Sequence, residues 1–290
     1  MKWIVLSLTS VLLLLLVLAS CGPEAQTGAV FSKYSAHACE APSPADTLPP
    51  NRVGKALDKV KREESPASGV PTDDPAADTQ RHFLLGKFDP AEHPDFVTIA
   101  QPYANRPGLL MQREAYAAFK KMADAARKDG VKLTIISATR TFDYQKNIWE
   151  KKWSNLQTQV KESKDRALKI LEYSAMPGTS RHHWGTDIDL NDLNNASFKS
   201  GGSQARMYAW MQKHAADYGF CQPYTAKDEQ RPTGYNEERW HWSYRPIADK
   251  LLQQYEFSVT DAMITGFLGA ENARSIGVVQ NYVLGVACKN

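Results

Sequence analysis

The stretch "SRHHWGTDIDL", residues 180–190, sets two histidines, His182 and His183, ahead of two aspartates, Asp187 and Asp189. A second stretch, "NEERWHWSY" (236–244), places His241 behind two glutamates, Glu237 and Glu238. Imidazole and carboxylate are donor groups for hydrolytic zinc, which takes three protein ligands and keeps a fourth position for water. A base must also stand nearby to take the proton from that water as it attacks. His182 or His183, one of Asp187 and Asp189, and His241 supply the ligands; Glu237 or Glu238 supplies the base. The two aspartates are two residues apart, so in a strand they point to one face and geometry leaves both open.

These residues need elements to hold them. "TDIDL" (186–190) and "ERWHWSYRP" (238–246) alternate like strands, the second ended by Pro246. "VKLTIISATR" (131–140) is a further strand. Helices are expected over 109–130, stopped by Gly130, over about 143–156 and 161–174, over 201–220, stopped by Gly219, and over "IADKLLQQYEF". Strands scattered among helices without regular alternation predict an α+β fold. The tail 257–290 has apolar content enough to pack on the domain.

The flanks speak to compartment. "MKWIVLSLTSVLLLLLVLASCG" has the layout of a secretory signal peptide. Its "LASC" resembles the bacterial lipobox, which implies cleavage after residue 20 and lipid on Cys21. Gly22, which is not aspartate, favours an outer-membrane destination facing the periplasm. Residues 21–80, rich in Pro, Ala, Ser and Asp, read as a flexible tether, with the folded domain over 81–256 and an extension over 257–290. Among four cysteines, Cys221 and Cys288 are expected to form a disulfide, which an export compartment permits. A formal charge of +3 with no long basic run offers nothing to nucleic acid.

Three blocks resemble one family, the zinc D-alanyl-D-alanine carboxypeptidases of the VanY type and their L,D-carboxypeptidase relatives. The family pattern S-x-H-x-x-G-x-A-x-D, then E-x-W-H, is met by Ser180, His182, Gly185, Asp187 and Asp189, then Glu238, Trp240 and His241. Upstream, Ser137-Ala138-Thr139-Arg140-Thr141 with Gln145 stands where the family has S-G-Y-R-S and a glutamine. The departures are Asp187, where a small residue is frequent, and Ala138-Thr139 in place of Gly-Tyr. The resemblance covers about residues 105–256. It implies a small antiparallel sheet flanked by helices, of the Hedgehog/DD-peptidase type.

It further implies zinc on His182, Asp189 and His241, Glu238 as general base, and Arg140 binding the developing oxyanion or the substrate carboxylate. Gln145 and Ser180 would line the substrate cleft. His183 is then expected to line or stack in the cleft, and Asp187 to orient a ligand histidine. The function implied is removal of a terminal D-Ala from peptidoglycan stem peptides. The alternatives are an endopeptidase on the same metal centre and a non-catalytic wall-binding module. Glu238 argues against the last, because a binder needs no positioned base.

Overall fold

The computed structural model describes residues 75–288. The signal peptide, Cys21 and nearly all of the expected tether therefore lie outside the described residues. Seven α-helices are described: α1 (Pro75–Leu84), α2 (Arg113–Lys128), α3 (Phe142–Leu156), α4 (Ser163–Ile170), α5 (Ala205–His214), α6 (Arg245–Ser258) and α7 (Ala273–Ile276). Six strands accompany them: β1 (Phe96–Thr98), β2 (Leu110–Gln112), β3 (Ile135–Ser137), β4 (Asp187–Leu190), β5 (Phe220–Cys221) and β6 (His241–Tyr244). The protein is α+β. Strands β1 and β2 form a small antiparallel ribbon; the main sheet is antiparallel with order β3-β4-β6-β5. None of the described helices is long and apolar enough to cross a membrane.

The strand period explains why this sheet can carry chemistry. Ile188 and Leu190 of β4 and Trp242 and Tyr244 of β6 enter one core cluster, with Phe119 and Met122 of α2 and Met211 of α5. Each large apolar side chain buried this way contributes about 1.5–3 kcal/mol. The intervening residues, Asp187 and Asp189 on β4 and His241 and Ser243 on β6, must therefore face the other side. Register sets them against each other: Asp189 pairs with His241, and Asp187 with Ser243. A second core cluster, built from α1, α3, α4, α6 and the tail, covers the helical side.

Several boundaries differ from those expected. Residues 110–112 form β2, not the first turn of a helix over 109–130, because they pair with β1. The strand expected over 131–140 is confined to β3, and the backbone after it turns to meet β2 and the 180–184 turn. Pro246 opens α6, where a fixed φ and a missing N–H cost nothing. Helix α1 begins at Pro75, within the span that composition assigned to a tether; Leu84 and Leu85 at its end are buried. Beyond residue 257, Val259, Ile264, Phe267, Ile276 and Val283 are part of the second core cluster. Cys221 and Cys288 are joined by a disulfide, Cα–Cα 6.2 Å, fastening the end of the described chain to β5.

Candidate metal centre

His182 sits in a short 3-10 turn, Arg181–Trp184, that leads into β4. The turn ends at Gly185, held at φ 72°, where a Cβ would come within 2.3 Å of the Phe96 ring. Only glycine meets both demands there. The His182 Nδ1 lies 2.8 Å from the Ala138 carbonyl oxygen, which can only accept, so Nδ1 carries the proton. The Nε2 lone pair is buried and, among the described residues, has no hydrogen-bond partner.

His241 is arranged the other way round. Its Nε2 lies 2.9 Å from Asp187 Oδ2 and donates to it, leaving Nδ1 to face Asp189 Oδ1 at 3.2 Å. Asp189 Oδ2 lies 3.4 Å from His182 Nε2, and its Oδ1 is a buried acceptor with no hydrogen bond. One donor atom from each of His182, Asp189 and His241 lies within 4.8 Å of the others. Two orphaned buried atoms and a His2Asp donor set fit a zinc ion, whose structural demands are nitrogen and oxygen ligands.

The two aspartates, which strand geometry leaves equivalent, differ in their hydrogen bonding. Asp187 Oδ1 accepts from Thr186 Oγ1 at 2.7 Å and Ser243 Oγ at 2.8 Å. Its Oδ2 accepts from Arg181 Nε at 3.0 Å and from His241 Nε2. All of its acceptor capacity is used within the protein, one of the bonds holding His241 Nε2. Burial opposes its charge, but the Arg181 guanidinium and His241 hold its carboxyl well below the usual carboxylate range.

His183 does not line the cleft as expected. Its Nδ1 donates to the Arg140 carbonyl at 2.6 Å and its Nε2 accepts from the Gly178 N–H at 3.0 Å. Both nitrogens serve the backbone, so the ring ties the Arg140 segment to the turn at 178. Burial first, then Arg140 and His182 nearby, outweigh the hydrogen bond to the Arg140 carbonyl and push its pKa down to about 3.

Electrostatics at the centre favour a positive guest. Burial works against ionisation of Asp189, yet His182 and His241 hold it well below its ordinary value. Burial also opposes a charge on His241, but Asp187, Asp189 and Glu238 crowd it and hold its pKa well above the usual histidine value. His182 is lowered by burial and by Arg140. Glu238, whose Oε2 lies 3.4 Å from His241 Nδ1, is raised, chiefly by burial. A carboxylate so raised is suited to accept and return a proton.

Two connected spaces open onto these groups. An outer cleft of about 430 Å3 is lined by Arg140, Ile148, Lys152, Tyr173, Glu238 and Trp240 among others. A narrow inner chamber of about 30 Å3 ends on the buried Gln145, Ser180, Tyr224 and Tyr235. Arg140, Tyr173 and Glu238 border both. Among the described residues, no hydrogen bond or ion pair reaches the Arg140 guanidinium, and its Nε is buried without a partner. Gln145 donates to the Ala175 carbonyl at 2.8 Å and leaves its Oε1 unpaired.

Other functional neighbours carry weaker sequence signals. Asn195 grips the strand of backbone around Glu238 from both sides, donating to the Glu237 carbonyl at 2.6 Å and accepting from Arg239 N–H at 3.1 Å. Arg181, buried beneath Trp184, had no motif to point to it. Ile148 and Lys152 follow Gln145 at helical spacing, which is a signal the sequence does contain. Trp184 belongs to the core and donates to the Leu84 carbonyl, whereas Trp240 borders the cleft. Glu237 pairs with Arg239 at 3.1 Å, away from the centre.

Residues 108–247 match the family model of VanY, D-alanyl-D-alanine carboxypeptidase. The chain is 32% identical over 153 residues to YodJ of Bacillus subtilis (strain 168), covering 52% of each protein. It is 31% identical over 133 residues to a D-alanyl-D-alanine carboxypeptidase of Enterococcus faecalis, over 45% of this chain and 47% of that one. The chain thus spans about half the length of these curated relatives. Among solved structures, the LdcB LD-carboxypeptidase is similar at 28% identity and TM-score 0.44, over 59% of this chain and 80% of that one. Residues 108–247, a little under half of the chain, are thus similar to the VanY family of D-alanyl-D-alanine carboxypeptidases.

Proposed function

We propose that the protein is a zinc-dependent carboxypeptidase that removes a terminal D-Ala from peptidoglycan stem peptides, exported and held at a membrane by lipid on Cys21. The observation that carries this reading is the bare His182 Nε2, beside Asp189 and His241, in a cleft that also holds Glu238. Bound by those three residues, zinc would supply Lewis acidity toward a carbonyl oxygen and toward water. The outer cleft, at about 430 Å3, has room for several atoms of a peptide chain, and the small inner space beside His182 and His241 marks the side on which the chain end is taken to lie.

Each side chain then has a defined task. Glu238 accepts the proton of the attacking water and returns it to the leaving amine. Arg140, unpaired and bordering both spaces, offers its planar fork to the developing oxyanion or to the terminal carboxylate. Gln145, Ser180 and Tyr235 line the chamber. Asp187 fixes the His241 tautomer, and the Ala138 carbonyl fixes that of His182.

The test is incubation of the full chain with stem peptides ending in D-Ala-D-Ala or in a single D-Ala, with and without chelator. Release of one D-Ala that chelator abolishes is the expected result. Cleavage only within cross-linked dimers would replace this reading with an endopeptidase; zinc binding without any turnover would replace it with a wall-binding module.

A further inference from the structure

One cation of the cleft has no part in the chemistry above. Lys152 lies on α3 one turn beyond Ile148 and two beyond Gln145, so the three share a helix face. Ile148 and Lys152 border the outer cleft, while Gln145 reaches the inner chamber. The Lys152 Nζ donates to Ser174 Oγ at 2.5 Å, and among the described residues it has no carboxylate within ion-pair distance. Asp189 and Glu238, the acidic groups that border the same cleft, are engaged at the metal centre. Burial lowers the Lys152 pKa, Glu238 raises it, and Arg140 lowers it again. The cleft therefore holds two cations, Arg140 and Lys152, with no anion of its own devoted to either.

Position assigns the two cations different parts of a substrate. Arg140 borders both spaces, beside the groups proposed to do the chemistry; Lys152 borders the outer cleft and not the inner chamber. With the chain end lying toward His182 and His241, Lys152, farther out along the cleft, meets the chain on the N-terminal side of the scissile bond. We infer that Lys152 is a specificity-determining residue that pairs with a free side-chain carboxylate on that side, selecting stem peptides whose diamino acid carries a second carboxyl group over those in which it is amidated. This rests on reading the cleft as a stem-peptide site. Tyr173 and Leu193, both exposed at the cleft, supply apolar surface for the stem of the same residue.

The experiment compares two stem peptides identical except that the second carboxyl of the diamino acid is free or amidated. With the zinc-loaded full chain, kcat/KM is expected to be about tenfold higher for the free acid, the scale of one charge-assisted hydrogen bond. Lys152→Met is expected to bring the ratio near one, and Lys152→Glu to invert it. A structural role for Lys152 would lower both rates and leave the ratio intact, which would overturn the inference. The same two peptides, fluorescently labelled, are titrated into zinc-loaded Glu238→Gln by anisotropy. If neither peptide is trimmed, the carboxypeptidase reading fails. The binding ratio, with and without Lys152→Met, then still decides the role of Lys152.

Discussion

Two neighbouring pairs of identical residue types, His182 with Asp189 and His183 with Asp187, have opposite fates. The first pair presents bare atoms: His182 Nε2 and one Asp189 oxygen are buried without hydrogen bonds. In the second pair every donor and acceptor is taken, by backbone for His183 and by Thr186, Ser243, Arg181 and His241 for Asp187. An unpaired buried polar atom costs about 1–3 kcal/mol, so it persists where function uses it. The paired layer is what makes that cost tolerable, because it fixes the rings and strands behind the bare atoms. What separates a ligand from its support is how much hydrogen-bonding capacity is left over, and residue type alone does not reveal it.

The contrast can be broken most sharply at Asp189. Asp189→Ala is expected to drop bound zinc from about one per chain to none and to abolish peptide trimming, measured by metal analysis of the purified protein. Arg181→Met attacks the support instead. It leaves the buried Asp187 charge without its guanidinium, and a loss of about 3–5 kcal/mol in denaturant unfolding is expected.

His183 gives the pH test. In the folded protein its pKa is about 3, against about 6.5 in the unfolded chain. Its contribution to stability is complete above pH 6.5. As pH falls from 6.5 toward 3 the unfolded chain takes up a proton that the fold refuses, and stability declines. The loss across that window is on the order of 4 kcal/mol in the zinc-free protein. His183→Gln should flatten this part of the stability profile; an unchanged slope would show that His183 does not carry it. The smallest effect is expected for Asp187→Asn, which keeps the shape and part of the bonding. It should weaken zinc about 10–100-fold without abolishing binding, as read by competition with a chromogenic chelator.

Much of this could be read from the sequence, for definable reasons. The alternation in "TDIDL" and "RWHWSY" encodes one apolar and one polar face, and β4 and β6 use it as written. Those two strands carry most of the centre, which is why its residues could be named in advance. The 109–130 segment was deceptive because Leu110 and Met111 continue the apolar period of α2, while their backbone pairs with β1 some twelve residues earlier. The contacts of Arg181, Lys152 and Asn195 are hidden for another reason, although the helical spacing from Gln145 does place Lys152 on the cleft side of α3. Their roles depend on partners at 187 and 243, at 174, and at 237 and 239, and nothing local announces those contacts. His183 differs from the expectation because a histidine inside a motif suggests the cleft, and only the fold shows its two backbone partners.

The central claim is that a metal held by His182, Asp189 and His241 works with Glu238 to hydrolyse a peptide bond at the chain end. Its most direct test is to measure zinc content and D-Ala release together in the native protein and in Glu238→Gln. The account predicts equal zinc in both, with release in the variant lower by about 10²–10⁴-fold. Release at the native rate from zinc-loaded Glu238→Gln would contradict it.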